Sequence, residues 1–328
     1  LREHHLILGG CGFIGRHVAL QLARAGHAVV QADRVPPAYA FPKDAAPLIS
    51  FQALEFASAD WDSFIANASV IHHYAWTSIP ASANANPLGD LTSNVSATLS
   101  LLEALRRRGG GRVIFSSSGG TVYGKLDHVP VRETHPLKPI TAYGAGKAAA
   151  ELYLNLYRSL YGLDCRIARI ANPFGVGQNL SRGQGAASTF LHAALLNQPI
   201  VIWGDGEVVR DYVHVTDVAS ALVSLALVPE LDAANAFNIG SGLGVSLNQI
   251  VTELEHRLAR KLNVTRQPGR PFDVPVSVLD VGLACKLLRW KPSLSFGQGM
   301  ALTMDDLAAG AVISTYSPSA GTDAPAAR

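Results

Sequence analysis

The stretch Leu6-Ile7-Leu8-Gly9-Gly10-Cys11-Gly12-Phe13-Ile14-Gly15 decides the fold. Three apolar residues make a short buried strand and the glycines turn it. Apolar residues at Ile14, Val18 and Leu22 then recur at helical spacing until Gly26 ends the helix. Read as Gly10-x-Gly12-x-x-Gly15 or as Gly9-x-x-Gly12-x-x-Gly15, the loop lets backbone amides approach a pyrophosphate at the positive end of the helix dipole. Such a pattern is weak by itself in a chain with 30 glycines among 328 residues. Its context is specific: the next apolar run, Ala28-Val29-Val30, leads to Asp33. A carboxylate there accepts both hydroxyls of an adenosine ribose and repels a 2′-phosphate, which favours NAD over NADP. Arg34 beside it leaves NADP open.

Working outward, strand-like runs at 48–54, 69–75 and 112–117 and a helical stretch at 94–108 predict an α/β fold, a Rossmann-type doubly wound parallel sheet. A helical pattern over 142–161 stops at Gly162, and 165–170 reads as a buried strand. Residues 172–215 are richer in Gly, Pro and Asn, and a helix near 216–227, a strand at 236–239 and a helix at 246–260 follow. This texture predicts a dinucleotide-binding domain over 1–171, with segments about 208–240 returning to it. A smaller α/β substrate-binding lobe is expected over 172–313, and a disordered tail over 314–328, which is rich in Ser, Pro, Ala, Thr and Gly.

Composition narrows the function. The chain is 48% hydrophobic and 16% charged, which excludes a disordered polyelectrolyte. Its net charge of +2, from 27 Lys+Arg and 25 Asp+Glu, is too small for a phosphate-neutralising surface, so no nucleic acid partner is expected. Cys11, Cys165 and Cys285 fit neither a disulfide framework nor a zinc site. No apolar run reaches membrane-span length and no signal-peptide pattern precedes the glycine cluster, so the reading is cytoplasmic.

Tyr143-Gly144-Ala145-Gly146-Lys147 puts a phenol and an ammonium four residues apart on one helix face, after the strand Val113–Ser118 whose end is where a doubly wound sheet binds ligands. The cation is expected to lower the phenol's pKa. A bare surface pair has the same spacing, and position decides for the site. His72-His73 should point to opposite faces of a strand, one to solvent and one to the core, and no metal is expected. Arg106-Arg107-Arg108 suit the negative end of their helix. Cys11 lies in the phosphate loop and reads as a packing residue.

Together these residues resemble the extended short-chain dehydrogenase/reductase family, and within it the UDP-sugar 4-epimerases. The resemblance spans about residues 5–310 and rests on Gly9–Gly15, Asp33, Asn94 with Thr98, and Ser116–Ser118 leading to Thr121-Val122-Tyr123-Gly124. It continues through Glu133, Tyr143-x-x-x-Lys147, Asn172-Pro173, Gly204-Asp205-Gly206, Arg210-Asp211-Tyr212-Val213-His214, Asn238-Ile239-Gly240 and Arg270. The resemblance implies NAD held by Gly9, Gly12, Phe13, Ile14, Gly15, Asp33, Arg34, Glu55, Ala75 and Asn94, with Tyr143 and Lys147 at the nicotinamide. Asp60 competes with Glu55 for the adenine pocket. Tyr143 is then the base at the sugar's O4, Lys147 grips the ribose and Ser118 bonds O4. Asn172, Arg210, Arg270 and Asp273 are assigned to the UDP-sugar, with Val201 and Trp203 at the uracil. Gly119-Gly120 stands where many members have one small residue, so Ser118 with an inserted glycine and Thr121 without one both remain readings. Ser277, seven positions after Arg270, replaces the bulky residue that in the family closes the sugar's C2 side against an N-acetyl group.

Family dehydratases carry an Asp-Glu pair after the fifth strand, and decarboxylases a Glu; here those positions hold Gly119, Gly120 and Thr121. The resemblance therefore implies C4 epimerisation of a UDP-hexose, with NAD-consuming dehydrogenation or reduction as the alternative. It also implies a homodimer through the helices near 94–108 and 142–161, where Val95, Leu99, Leu102 and Leu105 form one apolar stripe and Leu152, Leu156 and Leu160 another.

Overall fold

The computed structural model describes residues 3–180, 185–231, 234–269 and 274–310. The expected tail at 314–328, Arg270 and Asp273 lie outside the described residues. In chain order the strands are β1 (His4–Leu8), β2 (Ala28–Asp33), β3 (Ile49–Ala53), β4 (Val70–His73), β5 (Arg112–Ser118), β6 (Asp164–Ile170), β7 (Asn172–Phe174), β8 (Ile200–Trp203), β9 (Val209–His214), β10 (Ala236–Ile239), β11 (Gly244–Ser246), β12 (Val264–Gln267) and β13 (Val276–Ser277). The helices are α1 (Phe13–Arg24), α2 (Trp61–Ile65), α3 (Pro80–Ala85), α4 (Pro87–Asp90), α5 (Ala97–Arg108), α6 (Ala142–Tyr161), α7 (Ala186–Leu195), α8 (Val215–Leu227), α9 (Leu247–Leu258), α10 (Gly282–Leu287) and α11 (Phe296–Ala308).

Seven strands form one parallel sheet in the order β10-β6-β5-β4-β1-β2-β3, the doubly wound arrangement expected from the sequence. Val113, Ile114 and Phe115 are buried in succession, because both faces of the sheet are covered. Val18 and Leu22 of α1 and Leu222 and Leu225 of α8 cover one face with Ile7 and Ile114. Ile65 of α2, Leu101 and Leu105 of α5 and Leu154 of α6 cover the other with Leu8 and Phe115. The strand order reverses between β1 and β4, so a crevice opens at their carboxyl ends.

The second layer is a small sheet, β11-β9-β13, with β7 joined to β9, and a β8–β12 pair. Its own core is Phe174, Phe190, Leu191, Ile250, Leu254 and Met300. The segment after β13 turns back to the large sheet: Leu279, Leu288 and Trp290 join the α1/α8 core, and the Trp290 indole donates to Ser220 Oγ at 2.8 Å.

Several local expectations are corrected. The helical stretch at 94–108 opens as a π-helix over Leu91–Ser96, where Thr98 Oγ1 donates to the Asn94 carbonyl at 2.7 Å. Leu102 and Leu105 are spent on the chain's own core, whereas Leu152, Leu156 and Leu160 are 66%, 45% and 61% exposed. Only the α6 stripe therefore faces outward. Arg106–Arg108 stand in the last turn of α5, at its negative end as expected, and Gly109 closes that end in a left-handed conformation (φ 87°). Arg106 pairs with Glu103, Arg107 with Asp62, and Arg108 donates to the carbonyls of Ile65, Ala68 and Gly110. His72 and His73 are both fully buried, since helices cover both faces of β4.

Candidate active site

The glycine loop is built for backbone approach. Gly9 has a positive φ of 76°, and a Cβ on it would sit 2.9 Å from the Ala75 amide nitrogen. A Cβ on Gly15 would lie 2.4 Å from the Gly9 carbonyl oxygen, inside any tolerable contact. Gly12 caps α1 without a side-chain hydrogen bond, so the amides of the first turn, at Phe13 and Ile14, point into the crevice unengaged by a cap. Asp33 ends β2, and its carboxylate accepts from the amides of Cys11 (3.1 Å) and Arg34 (2.8 Å), fixing it beside the loop. Burial, and then Asp33, push the Cys11 thiol up to about 12, so it is an inert packing residue. Glu55 and Asp60 are both exposed beyond β3, and Asp60 already accepts from Ser63 Oγ at 2.6 Å.

Asn94 is fully buried and holds a neighbouring loop. Its Oδ1 accepts from the Thr77 amide (2.8 Å), while its Nδ2 donates to Asp90 Oδ1 (2.9 Å). Thr98 Oγ1 lies 2.8 Å from His73 Nε2.

Tyr143 and Lys147 stand in the first two turns of α6, which Thr141 starts by accepting the Gly144 amide at 3.1 Å. The Lys147 ammonium donates to the Ser116 carbonyl (2.7 Å) and lies 3.8 Å from the centre of the Trp76 ring, but 5.9 Å from that of Tyr143. Burial lowers its pKa to about 7, against the pull of Asp90 and Glu151. The expected depression of Tyr143 is not delivered by the chain's own side chains. Burial, and then the Asp90 carboxylate, raise its pKa above the ordinary phenol value, because Lys147 is aimed at Trp76 and the β5 backbone.

Ser118 closes β5 half-buried, and its carbonyl accepts the amides of Thr121 and Val122, each at 3.1 Å. A Cβ on Gly119 would meet Leu279 Cδ1 at 2.6 Å, whereas Gly120 has open space around it. The Thr121 hydroxyl is buried with no hydrogen-bond partner among the described residues.

Two buried acids escaped the sequence reading. Glu151 continues the four-residue spacing of Tyr143 and Lys147, and this was its signal. It pairs with Arg169 at 2.7 Å and accepts from Ser117 Oγ. Arg169 also donates to Tyr123 Oη (3.0 Å), which donates to Asn238 Oδ1 (2.6 Å), tying β5, β6, β10 and α6 beneath the site. Asp90 accepts from Ser78 and Asn94, and no sequence spacing pointed to it.

On the lobe side, Asn172 Nδ2 donates to the Asp211 carbonyl at 3.0 Å. Arg210 donates to the carbonyls of Val209 (2.9 Å) and Val274 (2.6 Å). The Asp211 carboxylate is taken by Ser241, Gly242 and Leu279 donors. Ser277 is buried on β13, in register with Arg210. Val201 and Trp203 alternate with buried Ile200 and Ile202, and so face outward together on β8.

The profile of the NAD dependent epimerase/dehydratase family matches residues 5–240. The chain belongs to that family. Among epimerase/dehydratase relatives, a UDP-glucose 4-epimerase of Mycolicibacterium smegmatis is 33% identical over 306 residues, covering 92% of this chain and 97% of the relative. Of solved structures, a UDP-glucose 4-epimerase of Thermotoga maritima with UDP-glucose is 31% identical with a TM-score of 0.85, covering 94% of this chain and 99% of the other. A Thermus thermophilus UDP-glucose 4-epimerase with NAD is 28% identical with a TM-score of 0.83, covering 94% and 100%. No helix among the described residues is long and apolar enough to cross a membrane.

Proposed function

We propose that this chain interconverts the C4 epimers of a UDP-hexose, UDP-glucose and UDP-galactose first, with NAD retained through the cycle. The observation that carries the reading is the loop after β5. Ser118-Gly119-Gly120-Thr121 brings hydroxyls and no carboxylate beside Tyr143, and the buried acids nearby, Asp90 and Glu151, are already engaged. A second acid–base pair for dehydration is thereby missing from the reacting edge, and proton transfer at a single oxygen remains.

The crevice fits a dinucleotide: Gly9, Gly10 and Gly15 admit no Cβ without a clash, α1 presents an uncapped N-terminus, and Asp33 is fixed where a ribose would lie. Gly9, Gly12, Phe13, Ile14, Gly15 and Ala75 hold the pyrophosphate side, Asp33, Arg34 and Glu55 the adenosine, and Lys147 the second ribose. Asn94 acts through the Thr77 loop that it braces. When bound, NAD supplies the reversible hydride acceptor and, in its oxidised ring, a positive charge. Tyr143 takes the proton from O4 and returns it, and it becomes a base near neutrality only when positive charge joins Lys147 to offset its burial. Ser118 hydrogen-bonds O4. Asn172 and Arg210, with Arg270 and Asp273, hold the UDP-sugar, Val201 and Trp203 border the uracil, and buried Ser277 leaves room for an N-acetylated sugar. Chains named UDP-glucuronate 4-epimerase (Thermodesulfobacterium geofontis) and UDP-N-acetylglucosamine 4-epimerase (Methanobrevibacter ruminantium) are 29% and 26% identical to this one, which keeps those sugars in the test.

A homodimer formed through the outer face of α6 completes the proposal. Leu152, Leu156 and Leu160 are exposed there with Tyr153 and Tyr161, a patch that a second copy would cover. Light scattering at micromolar concentration gives twice the chain mass if this holds.

Incubation with UDP-glucose, UDP-N-acetylglucosamine and UDP-glucuronate, followed by NMR of the products, tests the function. C4 epimers form with almost no lasting rise in reduced-nicotinamide absorbance. A rise that tracks substrate consumption assigns the chain to dehydrogenation instead.

A further inference from the structure

At the opposite end of the sheet from the glycine loop, the first residues of β1 and the turn into β2 meet in a cluster that the proposed reaction does not use. His5 and His27 stack edge to face, with ring centres 4.9 Å apart. His5 Nε2 and His27 Nδ1 are both buried and have no hydrogen-bond partner among the described residues. Buried ring nitrogens are ordinarily satisfied, so two orphans on stacked rings call for a ligand that accepts lone pairs. The Glu3 carboxylate closes the third side, with Oε2 3.7 Å from His5 Nε2. One donor atom from each of the three residues falls within 4.8 Å of the others.

We propose that Glu3, His5 and His27 bind a divalent transition metal of the Zn2+ type, with water in the fourth position. Two imidazoles and a carboxylate are a zinc donor set. Around a tetrahedral ion with bonds of about 2.0–2.1 Å, donor atoms stand roughly 3.3–3.5 Å apart, so the 3.7 Å pair needs little contraction and the remaining donors, within 4.8 Å, must close further on the ion. Glu3 and His27 are half-buried and leave a path from solvent, while His5 is fully buried.

The surroundings supply the orientation that such sites need. His5 Nδ1 lies 2.9 Å from His72 Nε2, and His72 Nδ1 lies 2.7 Å from the Tyr74 hydroxyl. With metal on His5 Nε2, the His5 proton sits on Nδ1 and donates to His72, which in turn donates to Tyr74, so one proton arrangement serves the whole relay. Arg112 is the opposing charge, its Nη1 3.8 Å from the other Glu3 oxygen. It is anchored elsewhere by Asp164 (2.7 Å) and by the carbonyls of Ala226 (2.7 Å) and Pro229 (2.9 Å). The metal would act as a structural staple, joining the start of β1 to the turn at Gly26-His27 that leads into β2, about 13 Å along β1 from Gly9.

The test uses the purified full chain with its retained cofactor, dialysed against a chelator and titrated with Zn2+ and, for its visible spectrum, Co2+. One equivalent of either ion binds, Co2+ develops the intense absorption of a four-coordinate site, and thermal unfolding moves upward. His27→Ala and Glu3→Gln, both at half-buried positions, each weaken binding at least about tenfold and remove the thermal shift. Absence of stoichiometric uptake, or equal uptake by the wild type and both variants, overturns the proposal.

Discussion

The two ends of the parallel sheet are made by the same strands and work by opposite means. At the carboxyl end, β1 and β4 lead into Gly9 and Ala75, and recognition rests on missing side chains, exposed amides and a helix terminus. Near the amino end, β1 contributes His5 and the turn into β2 contributes His27, and what is on offer is buried ring nitrogens beside the Glu3 carboxylate. The carboxyl end can take in a large anionic ligand because its backbone is bare. One sheet thus separates chemistry that must turn over from a contact that need only hold.

This contrast can be broken or sharpened experimentally. The largest expected effect is at Tyr143. Tyr143→Phe cuts turnover by about 10²–10⁴-fold while NAD content and the unfolding temperature stay near wild type, because the ring still packs and only the proton acceptor is gone. His27→Ala at the other end leaves turnover unchanged, so comparable losses in the two variants break the comparison.

Next in size is the charge at Lys147. Its folded pKa of about 7 lies below its ordinary 10.5, so between those values the unfolded chain holds the extra proton. The unfolding free energy of cofactor-free protein therefore rises with pH across that window, by at most about 1.4 kcal/mol per pH unit, and levels off above it. Lys147→Met lacks this slope in denaturant titrations at stepped pH. A wild-type curve parallel to the variant's shows that the lysine is not confined as described.

Smaller effects map the lobe side of the crevice. Ser277→Tyr costs about 10–200-fold on UDP-N-acetylglucosamine and little on UDP-glucose, measured as kcat/KM. An equal effect on both sugars places the selectivity elsewhere. Smallest is the difference between two hydroxyls: Ser118→Ala loses more turnover than Thr121→Ala. The reverse order gives the role to Thr121, whose hydroxyl has no partner among the described residues.

The sheet and the dinucleotide crevice were legible in the sequence because both depend on local pattern. Glycine spacing, an apolar run and an acid at a strand end are written within the first 33 residues. Tyr143 and Lys147 were legible because one helix fixes their spacing. Partners that meet only through the fold were not. Asp90 acts on Tyr143 and Lys147 from a different helix, and burial, with Asp90 adding to it, reverses the expected direction of the Tyr143 shift. His27 comes 22 residues after His5, with a whole helix between them, so no spacing rule joins the two. Leu102 and Leu105 read as a surface stripe because periodicity marks an apolar face without saying what lies against it. The same stripe on α6 is exposed for lack of a neighbour within the chain.

The 20 residues of α6 form a single uninterrupted helix about 30 Å long. Tyr143 and Lys147 ride on its first two turns, while the exposed leucines occupy its remaining length. A tilt of one degree over that distance carries an end through about 0.5 Å. Displacements near 1 Å at a reacting atom can cost about 10²-fold in rate. A partner packed against the far leucines would therefore bear on the aim of the phenol, and changing those leucines tests whether the two ends of the helix are mechanically linked.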